Sequence, residues 1–316
     1  MIVAALQCSC AAKVQPTRPA YPVQMSELWE RPDDLANEDL FHGRWGAHRA
    51  PDPEVVYTFV ERKQQGTNPG VTARDPFGRE WHIKQPPHND QGAEGPIEVT
   101  LSRVLSAVGY HQPPVYFLDS FVLADARGTH REPGGRFRLA DPSITNAGNW
   151  SWQENPFVGT RPYQGLLVIL MMFNASDIKN DNNSLYEVRS PDGAVERWYA
   201  VRDLGTALGE TGRLAPRRGD PGIFERQPFI TGMKGGFVRF NYHGRHQELI
   251  ARISPDEVRW ASELLGELGD RQWRDAFRAG GYDPAVAERF IARLHQKIAE
   301  GLTMGSVRSS SAIETR

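Results

Sequence analysis

The run Asn174-Ala-Ser-Asp177-Ile-Lys179-Asn-Asp-Asn182-Asn183 concentrates acid, amide and amine side chains in one short segment. Asp177, Lys179 and Asn182 stand at positions i, i+2 and i+5, and a second polar group, Arg202-Asp203-Leu204-Gly205, follows about twenty residues later. Carboxylate and amide oxygens are hard ligands that suit magnesium, and a lysine beside them offsets phosphoryl charge. Brought together, the two segments would form a magnesium and phosphate site.

The elements around them have the means to do this. Residues 166–173 are unbroken apolar. That run is too short to cross a bilayer and reads as a helix buried on all sides, a rigid anchor for the polar segment that follows. Next come Leu185-Tyr-Glu-Val-Arg189, the turn Ser190-Pro-Asp-Gly193 and Arg197-Trp-Tyr-Ala-Val201. This is a hairpin that doubles back and returns Asp203 to the first cluster.

Upstream the patterns are β-like. Val55-Val-Tyr-Thr-Phe-Val60 is followed by Val71-Thr-Ala-Arg-Asp75, a Pro-Phe-Gly turn and Glu80-Trp-His-Ile-Lys84. The last two runs are close enough to form a hairpin. Ile97, Leu101, Val104, Leu105 and Val108 then give one apolar helical stripe ending at Gly109, and after Pro113-Pro114 the runs 115–118 and 121–123 return to strand. From Pro162 onward helices dominate, with starts at Ser254-Pro-Asp-Glu257 and Asp283-Pro284. The spacing predicts an α+β chain: an extended lead-in over 1–54, a small β-rich half with one helix over 55–140, a larger mainly helical half over 141–305 and a tail over 306–316. A junction of this kind forms a cleft, and clefts bind ligands.

At this point the residues resemble the protein-kinase-like superfamily. Its catalytic loop, Asp-x-Lys-x-x-Asn, corresponds to Asp177-Ile-Lys179-Asn-Asp-Asn182; a hairpin follows, and Asp-Phe-Gly corresponds to Asp203-Leu-Gly205. Lys84 ends a strand where the phosphate-pairing lysine belongs, and Glu98 stands in the helix that carries its carboxylate partner, with Glu94 as the alternative. The resemblance spans roughly residues 55–300 as an order of elements, and looks closest to uncharacterised bacterial members and to atypical branches such as the HipA-type and lipid kinases. It implies a two-lobed fold with ATP and magnesium between the lobes. Lys84 would contact the α- and β-phosphates and be held by Glu98. Asp203 and Asn182, or Asn183 in its place, would hold magnesium. Asp177 would orient the acceptor hydroxyl and take its proton, and Lys179 would steady the transferring group.

The chain also departs from that pattern. No Gly-x-Gly-x-x-Gly occurs, and the loop between the first two strands offers only Gly66 and Gly70 to the phosphates. Ala175-Ser176 replaces the usual His-Arg, and the Ala-Pro-Glu that ends an activation segment is missing. The expected function is an atypical kinase acting on an unidentified hydroxyl of a protein, lipid or small molecule. Its alternatives are a degenerate pseudokinase-type module and an AMP transferase on the same fold.

Of 316 residues, 39 are acidic and 37 basic, giving a net charge of −2, so a partner as polyanionic as nucleic acid is not expected. Cys8 and Cys10 are too close to bridge in ordinary geometry. No run is long enough to span a membrane. Met1-Ile-Val-Ala-Ala-Leu6 and the residues after it, to 12, read either as a truncated secretion signal or as a frayed start, which leaves export and the cytoplasm both open.

Overall fold

The computed structural model describes residues 22–63, 68–86, 93–212 and 217–305. The expectations for residues 1–12, for Gly66 and for the tail beyond 305 lie outside them. Mixed α and β structure is observed, with the strands in three separate sheets.

Strands β1 (Val56–Arg62), β2 (Gly70–Arg74) and β3 (Glu80–Lys84) come first, followed by helix α1 (Glu94–Ala107), then β4 (Val115–Asp125) and β5 (Gly128–Leu139). These five strands close into a barrel in the order β1-β2-β3-β5-β4, sealed by a parallel pairing of β1 with β4. Alternation of side chains along each strand decides what the barrel buries. Val71, Ala73, Trp81, Ile83 and Phe137 point inward and pack with Tyr57, Tyr116, Phe121 and Leu123. The intervening residues, Thr72, His82, Lys84, Arg136 and Arg138, therefore project from the outer face.

Strand β5 is the largest departure from the sequence pattern. Its Pro133-Gly-Gly135 reads as a turn, yet it lies inside a twelve-residue strand. Both glycines are required by close approach: a Cβ on Gly134 would strike the Leu118 carbonyl, and one on Gly135 the Lys84 carbonyl. The two runs expected at 115–118 and 121–123 are a single strand, β4.

The chain continues through β6 (Ile144–Gly148), α2 (Arg161–Met172), β7 (Asn183–Arg189), β8 (Val195–Val201), α3 (Pro221–Arg226), β9 (Ile230–Lys234) and β10 (Phe237–Phe240). It ends with α4 (Gln247–Ile250), α5 (Pro255–Gly266), α6 (Asp270–Ala279) and α7 (Pro284–Leu302). Strands β6, β7 and β8 form an antiparallel sheet, and β9 and β10 a separate hairpin that the sequence pattern did not announce. Local chemistry starts the long helices. Ser254 and Glu257 close a capping box on α5, and the Asp283 carboxylate accepts from the Ala285 and Val286 amides at the start of α7. Helix α2 is buried from Gly165 to Met172.

The stripe of α1 does not enter the barrel. Ile97, Leu101, Val104 and Leu105 join one core with α2, α5, α6 and α7, while Leu28, Leu35 and Leu40 of the lead-in cover it. Helix α1 thus couples the barrel face bearing Lys84 to the helical core. Two residues past its end stands Gly109, whose φ of 102° and contact with the Glu30 carbonyl leave no room for a Cβ. Gly109→Ala is expected to lower stability by about 1–3 kcal/mol in a urea titration; an unchanged midpoint would mean that the lead-in simply shifts away.

Candidate active site

Lys84 is the last residue of β3, and its outward side chain meets α1. Its Nζ lies 3.4 Å from Glu98 and 3.4 Å from Glu94, and it donates directly to Asp203 at the end of the β7–β8 hairpin. Burial alone would lower the lysine's pKa, but Glu98, Asp203 and Glu94 outweigh it and hold the ammonium above its ordinary value. Glu98 is buried and shared, with Arg136 Nε 3.0 Å from its other oxygen. Arg136 and Lys84 overcome that burial and keep its carboxyl below the usual range. Glu94 is held in turn by Arg218 at 2.9 Å, so both candidate partners of Lys84 touch it.

Asp203 is brought here by antiparallel pairing of β7 with β8, in which Asn183 faces Val201. One residue beyond, the Arg202 amide donates to the Asn182 carbonyl at 2.9 Å, and the Asn182 side chain donates to the Asp177 carbonyl at 2.7 Å. Lys84, Asp203, Asn182 and Asp177 thus form one connected path through the barrel, the hairpin and the loop after α2. Asp203 takes a left-handed φ of 57°, a conformation short polar side chains tolerate, and its side chain keeps 49% of its surface open. Burial opposes its charge, yet Lys84 and then Arg136 keep its pKa below the usual value.

The loop carrying Asp177 is tied down on every side. The Leu208 amide donates to the Phe173 carbonyl at 2.8 Å and the Ser176 amide to the Thr206 carbonyl at 3.2 Å. Asn174 donates to the Gly209 carbonyl at 2.7 Å while its oxygen accepts from the buried Lys297 of α7 at 3.0 Å. Trp150 and Trp152, before α2, serve as backbone braces: the Asn180 oxygen accepts the Trp152 amide, and the Asn183 amide donates to the Trp150 carbonyl at 3.1 Å. Asn183 is fully buried by that contact. Asn182 and Asn183 each spend the side-chain amide nitrogen on a backbone carbonyl, and the Asn183 oxygen is buried without a hydrogen-bond partner, so each keeps an oxygen for a ligand. Lys179 reaches back to Asp177 at 2.8 Å, and Arg245 approaches its other oxygen at 3.9 Å.

Among the described residues no group of three or more His, Cys, Asp or Glu is arranged to hold a metal. The pair in question is one carboxylate and one amide. Such a pair suits a magnesium ion that takes its remaining oxygens from phosphates and water, and the open, charged Asp203 fits that requirement. Gly70 stands in β2 opposite Lys84 instead of in a loop, where a Cβ would collide with the Ile83 carbonyl. Its role is to let two strands approach.

Three cations were not singled out from the sequence. Arg136, Arg138 and Arg202 line the clefts beside Lys84. The alternation Arg136-Phe137-Arg138 was the available signal, obscured by the glycines before it.

No family model matches the chain, and no curated protein matches it. Among solved structures it is similar to the Helicobacter pylori proinflammatory kinase CtkA, with 8% identity, a TM-score of 0.40, and coverage of 79% of this chain and 94% of that one.

Proposed function

We propose that this chain is a two-lobed, ATP- and magnesium-dependent phosphotransferase acting on a hydroxyl acceptor, with the barrel and α1 as one lobe and the helical remainder as the other. One observation carries the reading: Lys84 of β3 reaches both Glu98 of α1 and Asp203 of the hairpin, so three elements distant in sequence converge on a single charge cluster.

In this reading Lys84 binds phosphate oxygens while Glu98 fixes its direction. Asp203 and Asn182 hold the magnesium, which when bound compensates charge on the phosphates. Asp177 orients the acceptor hydroxyl and accepts its proton at a carboxylate oxygen. Lys179, already beside that carboxylate, neutralises charge on the transferring group. The chain performs little covalent chemistry, so placement and charge compensation supply most of the acceleration.

Calorimetry of ATP with and without magnesium tests this. Wild type is expected to bind in a magnesium-dependent way, and Asp203→Ala to lose that dependence. Equal affinity in the two proteins, or no binding by either, would sink the reading. Labelled ATP would then report whether the γ-phosphoryl or the AMP portion reaches a product.

A further inference from the structure

The barrel face that bears Lys84 carries more positive charge than its pairings use. Across β2, β3 and β5, Gly70, Lys84 and Arg136 form one rung, and Thr72, His82 and Arg138 the next on the same face. Two residues along a strand separate the rungs, or about 7 Å. The cations of the first rung are paired, Lys84 with Glu98, Glu94 and Asp203, and Arg136 with Glu98.

The second rung is not compensated. Among the described residues the Arg138 guanidinium makes no hydrogen bond and no ion pair. Burial foremost, then Arg136 and Arg202, pull its pKa down against the smaller opposing pull of Tyr186 and Glu98. Arg202 lines the same cleft, with its Nη1 3.3 Å from the Tyr186 hydroxyl. The nearby Asp141 cannot serve as counter-ion, because Arg49 and Ser143 occupy its carboxylate. These residues line a cleft of 330 Å³ that shares His82 and Arg138 with a second cleft of 330 Å³ at Lys84.

An unpaired guanidinium in a partly buried pocket is costly, and a converging anion removes the cost. We infer that Arg138 and Arg202 form a second anion station, which takes a phosphomonoester group about 7 Å from the Lys84 position. The group belongs either to the ribose of a nucleotide or to a separate phosphorylated substrate. The inference goes beyond the phosphotransferase reading, since the station binds its anion whether or not Asp177 transfers anything.

The test is inorganic phosphate binding by the full chain, followed by calorimetry and thermal unfolding, in wild type, Arg138→Gln, Arg202→Gln and the exposed control Arg161→Gln. Phosphate affinity is expected to fall at least tenfold in both cleft variants and to stay within twofold in the control. Ligand-free Arg138→Gln should melt no lower than wild type, because it removes repulsion and no contact. A lower melting point with unchanged phosphate affinity would make Arg138 a structural residue and overturn the proposal, as would an equal loss in the control. Two further probes identify the source. Preference for adenosine 3′,5′-bisphosphate over AMP, abolished by Arg138→Gln, assigns the group to the nucleotide; glycerol 2-phosphate binding alongside ATP assigns it to the second substrate. Should ATP itself fail to bind, the inorganic phosphate comparison still decides for or against the station.

Discussion

If the chain is the phosphotransferase proposed above, Asp177→Asn should lower the rate of phosphoryl transfer by about 10²–10⁴-fold while leaving ATP affinity within about twofold of wild type. The substitution keeps the side chain's size and one acceptor oxygen, and it leaves the main-chain carbonyl that receives Asn182 and the Lys179 amide untouched. What it removes is the basicity that, in the proposed mechanism, accepts the hydroxyl proton, and the charge that faces Lys179. That ion pair is partly open to solvent and contributes little to stability, so the loop should hold its shape. Single-turnover transfer from labelled ATP, set beside nucleotide titration, separates the two quantities. Undiminished transfer in Asp177→Asn would remove this residue from the chemistry, and a parallel loss of binding would mean that the loop had collapsed.

Glu98→Ala is expected to be the most damaging single change to the cluster, lowering stability by about 3–5 kcal/mol. It strips the shared carboxylate from two cations at once, Lys84 and Arg136. Lys84→Met should cost less, because Glu98 then keeps Arg136 and Asp203 can turn to solvent. Urea titration of the two variants checks the order, and a greater loss in Lys84→Met would show that Glu98 is not the hub.

The same carboxylate predicts a pH response. Its folded pKa lies below the ordinary 4.5, so its contribution is present above pH 4.5 and lost as pH falls through the lowered folded value. Lys84, raised from 10.5, contributes below pH 10.5 and loses that contribution as pH rises through its higher folded value. The cluster is therefore at full strength between pH 4.5 and 10.5. Glu98→Gln should flatten the acid limb of the stability curve, and identical acid limbs in variant and wild type would contradict the assignment.

Part of this was legible because the responsible forces are local. The capping box at Ser254, the proline-started helix after Asp283, the apolar run 166–173 that fills most of α2 and the turn Ser190-Pro-Asp-Gly193 each follow from residues within a few positions of one another. So does the alternation that makes Lys84 point away from the Trp81 and Ile83 side of its strand. Strand β5 was hidden because its Pro133-Gly-Gly135 is turn-like by itself. Only the backbones of Leu118 and Lys84, brought against it, explain why two glycines stand inside a strand.

The amino-acid order by itself determined which side chains were available for charge chemistry and which periodic elements would carry them. Strand pairing and helix packing decided the rest: that α1 buries its stripe among the helices and not in the barrel, that Asn182 braces the Asp177 carbonyl while Asn183 braces that of Trp150, and that Glu98 is shared between Lys84 and Arg136. Those outcomes depend on which distant groups compete for the same buried charge or hydrogen bond. Such competition exists only once the chain has folded and water has been expelled from between them.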